Sequence, residues 1–416
     1  MRRRAFILLG ASLPLAACVE SAPPVYPPGP TSLGQPGLAP GAPAPLPGAA
    51  TPIPAGPHVA LLLPLSGDNA TLAQTLQQAA QLALSGPGAP GLDVRDTMGT
   101  PEGAAAAARQ ALATGATLIL GPLTAPETAA AAPLARAANV PVLAFTSDPS
   151  QAQPGVWVMG ITPAQQVRRL VAAAQADGRS RFAGLLEADA FGNALTEALT
   201  GSLAEVGLPA PDIRRVDPGF SSLNTTLADL SDFTDRRAAI EAHAHPTSGS
   251  EPPPVPPPPF DALLVSAVGP HALELAPLLA YYGIGAPQVR VLGPGLWASQ
   301  VSRLGSLAGA WYADPDPAAE QGFQQLYAAR YGSPPPRLAS IAFDAAAIAR
   351  VLAAQGGPGY PVAALTRPDG FAGANGLLVL LPDGHVRRGL GVFEIESDGT
   401  ARMVQPPPTS LTGSAS

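Results

Sequence analysis

Lysine is missing from all 416 residues, so the 23 side-chain cations other than histidine are arginines. They are scattered through a chain whose formal charge is −7. A nucleic-acid surface needs a dense basic stripe that displaces counterions, so no nucleic-acid partner is expected. Cysteine occurs once, at Cys18, which rules out a disulfide framework and a thiolate metal site. Charged residues make up 13% against 46% hydrophobic, a balance that favours a folded chain over disorder. Catalytic patterns are equally scarce. A hydrolase nucleophile of the Gly-x-Ser-x-Gly kind sits on a sharp turn after a strand. Gly249 does stand between Ser248 and Ser250, but within a proline-rich stretch. His243 and His245 form a pair without a third ligand, and His58, His271 and His385 are isolated. The chain is therefore expected to be no enzyme, with no catalytic residue, metal or cofactor.

What is present begins at the N-terminus. Arg2, Arg3 and Arg4 precede an apolar run from Ala5 to Ala17, interrupted by Gly10, Ser12 and Pro14, that ends in Leu15-Ala16-Ala17-Cys18. A charged start, a short apolar segment and small residues make a secretory signal. The run is shorter than the roughly 20 apolar residues that span a bilayer, and nothing after Cys18 is expected to span one. Leu-Ala-Ala-Cys resembles the lipobox of bacterial lipoproteins, in which a diacylglycerol is attached to the cysteine sulfur and cleavage leaves that cysteine first. The resemblance implies a signal peptide over 1–17, lipidation at Cys18, and a periplasmic protein held to a membrane by its lipid. Val19 after the cysteine, rather than aspartate, is compatible with the outer membrane.

Residues 18–57 are mostly Pro, Gly and Ala, a composition that cannot offset chain entropy by burial. Proline biases such a spacer toward polyproline II at about 3.1 Å per residue, a reach on the order of 100 Å. At His58 the texture changes. Val59 to Leu63 is a continuous apolar run, as expected of a strand covered on both faces. A helix over Asn69–Leu84 follows, with Leu72, Leu76, Ala79, Ala80 and Ala83 on one stripe. Thr100-Pro101-Glu102 opens the next helix with a capping hydroxyl, proline in the first turn and an acid at the positive end of the dipole. Strands at 117–120 and 140–145 alternate with a helix over 125–137, and the alternation restarts after Gly160. This spacing implies right-handed crossovers and a parallel sheet. Pro246 to Pro259 is expected to be a disordered insertion. Gly376–Leu381 and Val386–Ile395 are expected to be antiparallel strands around Pro382-Asp383-Gly384, and 405–416 a disordered tail.

Two consecutive α/β lobes are similar to the type I periplasmic binding fold, and local sequences agree. Val59-Ala60-Leu61-Leu62-Leu63-Pro64-Leu65-Ser66-Gly67 resembles its opening strand and loop, especially in the penicillin-binding-protein activator branch; the branched-chain amino-acid binders are more distant. Ile119-Leu120-Gly121-Pro122-Leu123-Thr124 is similar to the third strand and loop. Asn139 to Ser147 is similar to the fourth. Ala188-Phe191-Gly192, Tyr327, Tyr331, Ala342-Phe343-Asp344-Ala345-Ala346 and Phe371 to Glu394 fall where later family segments occur. The resemblance covers 58–404 and implies an α/β fold of two doubly wound parallel-sheet lobes joined by three crossovers, near Gly160, Trp311 and Gly373. Lobe 1 is then about 58–160 and 312–372, and lobe 2 about 161–311 and 373–404. One departure is visible: studied activators carry a large helical domain ahead of this module, where this chain has the spacer.

Ligands of open parallel sheets bind beyond the carboxyl ends of the strands. In amino-acid binders of the family, hydroxyls and free amides there hold a ligand carboxylate. The resemblance therefore points to Ser66, Gly67, Gly121, Thr124, Thr146 and Ser147, with Asp189 across the cleft for an ammonium group. Helix capping and turn formation are the competing roles for the same hydroxyls. Two functions follow. One is an outer-membrane-anchored activator whose partner is a peptidoglycan synthase, a penicillin-binding protein. The other is a lipoprotein binding an amino acid or similar small molecule for an ABC transporter.

Overall fold

The computed structural model describes residues 31–32, 58–86, 88–217, 219, 221–243, 255–356 and 359–411. Cys18 and the signal lie outside the described residues, as do His245 and most of the proline-rich insertion. Among the described residues no helix is long and apolar enough to cross a membrane.

The first lobe is built on five parallel strands in the spatial order Gly91–Asp96, His58–Leu63, Ala116–Leu120, Val142–Ala144 and Val156–Val158. The apolar run at its centre is buried throughout, and its alternate residues serve two different cores. Val59, Leu61 and Leu63 pack with helices Ala70–Ala83, Pro317–Tyr331 and Ala339–Ala354, whereas Ala60 and Leu62 pack with Pro101–Ala113 and Ala125–Ala137. Period-2 side-chain direction thus turns one hydrophobic strand into the middle layer of a three-layer sandwich. Helix Ala339–Ala354 can lie deep in the core because alanines line it: Ala342, Ala345, Ala346 and Ala349 are all fully buried. Tyr327 closes this side, its hydroxyl donating to Gln78 Oε1 at 2.5 Å.

The second lobe holds a seven-stranded sheet, ordered Ala401–Gln405, Gly391–Ile395, Trp311–Asp314, Arg290–Gly293, Ala262–Val265, Phe182–Glu187 and Asp212–Val216. Its last five strands are mutually parallel, while Gly391–Ile395 and Ala401–Gln405 add an antiparallel edge. Again the faces divide. Leu263 and Val265 join one core, and Ala262 and Leu264 the other with helices Pro163–Ala176 and Ala190–Glu205. Two helices unforeseen in the sequence, Leu223–Leu230 and Phe233–His243, cover the first of these cores.

The expected hairpin is shorter and lies elsewhere. Gly376–Leu380 pairs with Val386–Arg388, and Phe371, Leu378, Leu380 and Val386 pack into the first-lobe core. The Trp157 indole donates to the Leu381 carbonyl at 2.7 Å, which fastens the hairpin to the first sheet. The third crossing is therefore at Gly389–Leu390, not near Gly373, because the next strand, Gly391–Ile395, belongs to the other sheet. The second crossing follows Asp314 rather than Trp311, whose strand stays in the second sheet.

Both ends of the body are more attached than composition suggested. Thr31–Ser32, inside the spacer, pairs in parallel with Phe371–Ala372. At the other end Ala401–Gln405 forms a strand, and the residues after it are held by arginines: Arg169 Nη2 donates to Pro406 O at 2.9 Å. Arg387 Nη1 likewise donates to Leu411 O at 3.4 Å, so backbone carbonyls of this stretch find cationic donors.

Candidate functional site

A cavity of about 480 Å³ opens between the lobes. Leu123, Phe145, Thr146 and Ser147 line it from strand ends of the first lobe, with Arg337, Leu338 and Ile341 from the entry to helix Ala339–Ala354. Gln166, Gly295, Leu296, Ser299 and Asp314 face them from the second lobe. Gly160, at the first crossing, also lines it, and its lack of a side chain is required: a Cβ there would fall 2.4 Å from the Thr146 carbonyl oxygen. The walls are largely apolar, and Leu296 and Leu338 stand exposed on opposite sides.

Of the seven residues expected to contact a ligand, Thr146 and Ser147 line this cavity. Thr146 is buried and its Oγ1 accepts from the Asp148 amide at 3.1 Å, whereas Ser147 is exposed. The other five are engaged in local structure. Thr124 caps helix Ala125–Ala137 in a reciprocal box with Glu127, its hydroxyl donating to Glu127 Oε2 at 2.6 Å. Asp189 caps helix Ala190–Glu205, accepting from the Gly192 amide at 2.7 Å. Ser66 donates its amide to Asp96 Oδ1 at 3.3 Å, beside Gly67, in an exposed loop. Gly121 has φ +83° and no room for a side chain, since a Cβ would lie 2.3 Å from the Leu62 carbonyl. These are the roles helix ends and tight turns ask of such residues whether or not a ligand binds.

Sequence reasoning missed the charged pair in the cavity. Arg337, on the first lobe, donates to Asp314 Oδ1 of the second at 2.6 Å. The two are the only ionisable residues in the lining. Burial pushes the Asp314 carboxyl up to about 6 against the pull of Arg337, and nearby Glu320 adds to the rise. Burial raises Glu320 too, so two acids share one guanidinium. Gln166 and Asn375 were also missed. Gln166 Oε1 accepts from the Gly295 amide at 2.8 Å, which joins two parts of the second lobe's rim. Asn375 donates to Ser340 Oγ at 2.9 Å, but its own Oδ1 is buried with no partner among the described residues. Nothing local in the sequence marks these positions; the crossings bring them together.

Beneath the cavity lies a second pair. Asp344 and Arg388 are fully buried, 3.6 Å apart. Asp344 also accepts from the Ala374 amide at 2.6 Å, and Arg388 donates to the Met159 carbonyl at 2.6 Å. Burial drives the acid's pKa up and the guanidinium's down, while each opposes the shift of the other. Met159 and Arg388 sit immediately before the first and third crossings, so this cluster ties the two connections together. Among the described residues no group of acids, histidines or cysteines could hold a metal ion.

Two doubly wound lobes, three crossings and a cleft between them match a known architecture along nearly the whole body. The family model described as periplasmic binding protein matches residues 57–400. The chain belongs to the periplasmic binding protein family. Its fold is that of a structure assigned as a branched-chain amino acid ABC transporter from Rhodospirillum rubrum, at TM-score 0.65 and 20% identity over 83% of this chain and 99% of that one. The LpoA C-domain from Haemophilus influenzae, described as a regulator of PBP1A, gives 0.60 and 20% over 83% and 99%. Full-length LpoA from the same organism gives 0.60 and 20%, with 84% of this chain covering 58% of that one. No curated protein matches the chain in sequence. The family is typically non-catalytic, and identities this low carry the fold alone.

Proposed function

We propose that this binding-fold protein is a lipid-anchored, non-catalytic regulator that activates a peptidoglycan synthase from the outer membrane. The observation that favours this over transport is the state of the cleft. Its two charges neutralise each other across the lobes, and the hydroxyl of Thr124 is consumed by its own helix. An amino acid's ammonium and carboxylate would find no unpaired charge in the lining. A body whose cleft is latched by its own side chains recognises through its outer surface. The likeness to the LpoA C-domain supports the partner class. Because Thr31–Ser32 joins the body, residues 19–30 after Cys18 leave a tether on the order of 40 Å at most. The test is glycan polymerisation and crosslinking by penicillin-binding proteins of the same organism, with and without the purified chain. A rise in either rate with co-purification of the synthase supports the reading. Neither a rise nor co-purification with any of them would sink it.

A second reading, a small-molecule binder, has two observations in its favour: the cavity volume, and Asn375 in the lining, whose buried Oδ1 has no partner among the described residues. A ligand of the native state raises the melting temperature by mass action. A thermal-shift screen of amino acids, small peptides and muropeptides checks it, and a flat response removes it.

A further inference from the structure

A second groove lies on the other flank of helix Pro163–Ala176, where Gln165 lines it while neighbouring Gln166 lines the interlobe cavity. Its volume is about 300 Å³, and it is bounded by helix Ala190–Glu205, the hairpin strand Val386–Arg388 and the tail. Ala172, Val206, Pro408 and Leu411 give it an apolar wall. Four arginines line it; Arg388 is paired with buried Asp344, and the other three have unequal partners. Arg168 is satisfied by Glu205 through two bonds of 2.9 Å. Arg169 has only carbonyls, Leu390 O at 2.8 Å and Pro406 O at 2.9 Å. Arg387 makes one long bond, 3.4 Å to Leu411 O, and its Nε is buried without a partner.

Two guanidinium charges thus face neutral carbonyls beside an apolar wall, in a chain that is acidic overall. Hydrogen bonds between ionised groups are roughly twice as strong as neutral ones, so an anion outcompetes those carbonyls. We propose that this groove binds a small amphiphilic carboxylate, independently of the interlobe cavity and of the regulator reading. The carboxylate takes Arg387 and the free edge of Arg169. The apolar stem lies along Val206 and Ala172, in place of Leu411. Because Arg387 belongs to the first lobe's hairpin and Arg169 holds Leu390 at the third crossing, the ligand bridges both lobes behind the hinge.

The probe is hexanoate, titrated calorimetrically into the full chain beside acetate, inorganic phosphate and hexanol. Hexanoate is expected to bind, and the other three to bind at least about tenfold more weakly, since each lacks the charge, the planar carboxylate or the stem. Arg387→Gln should weaken hexanoate about tenfold, while Arg387→Lys, which keeps the charge, stays within about threefold. Arg214→Gln, whose ion pair with Asp212 is on the far edge strand of the second sheet, serves as the control and should match the unmodified chain. Equal binding of hexanol would reduce the groove to an apolar crevice, and equal binding of acetate or phosphate to a plain anion site. Either result overturns the proposal, as does no binding of hexanoate. Should Arg387→Gln not fold, Arg387→Lys and the four probes on the unmodified chain still decide it.

Discussion

Asp314–Arg337 and Asp344–Arg388 are both carboxylate–guanidinium pairs at the lobe junction, one facing the cleft and the other sealed beneath it. The first spans two lobes with Arg337 half-exposed, so water can replace either partner when the lobes part. The second is wholly buried and also satisfies the Met159 carbonyl and Ala374 amide, so separating it strands charge in the interior. The same two residue types thereby do different work. Exposure makes one a latch, and burial makes the other a rivet.

The contrast breaks most visibly at Arg388. Arg388→Met is expected to cost about 3–5 kcal/mol, because a buried acid then lacks its counter-charge. Replacing both members, as Asp344→Leu with Arg388→Met, should recover most of that loss. Denaturant midpoints measure both; a single variant no worse than a surface pair would refute the rivet. Thr124→Ala comes next, at about 1 kcal/mol for a lost cap. Its effect should appear in thermal stability and not in any ligand titration.

At neutral pH Asp314→Asn is expected to change stability by no more than about 1 kcal/mol, because loss of the pair with half-exposed Arg337 is offset by relief of a buried charge. Small-angle scattering should nevertheless show a larger radius of gyration if the pair holds the cleft shut. The pH dependence sharpens this further. Asp314 titrates near 6 in the folded chain against an ordinary 3.8, so the folded state takes up the proton first. As pH falls from above 6 toward 3.8 this group's contribution to stability rises, even as the ion pair is lost. The unmodified chain should gain stability relative to Asp314→Asn over that window, measured by melting temperature. A constant difference would contradict the burial assigned to Asp314. Smallest of all, Ser147→Ala should stay within about 0.5 kcal/mol, since its hydroxyl is exposed.

Much of this architecture was legible because it follows from local chemistry. Val59 to Leu63 reads as a doubly covered strand, and Thr100-Pro101-Glu102 as a helix start, on sequence alone. The hydroxyl at Thr124 carried two meanings, cap and ligand contact, and the structure shows the cap. Ala401–Gln405 escaped notice because Ala, Arg, Met, Val and Gln show no clear alternation; its neighbour strand Gly391–Ile395 supplies the pairing, with a register shift at Val392–Phe393. Asp314 and Arg337 could not be matched from spacing, because their meeting depends on the second crossing. The hairpin was assigned to the wrong lobe for a related reason: the packing of Leu378 and Leu380 is decided by the Trp157 side of the first sheet.

The chain passes between the halves at Gly160–Ile161, Pro315–Asp316 and Gly389–Leu390. Arg388 and the Met159 carbonyl tie the first of these ribbons to the third, and three short ribbons permit bending more readily than twisting or sliding, as the leaves of a door do on a row of pins. A partner that engages one half is therefore expected to reach the other chiefly as a change of angle.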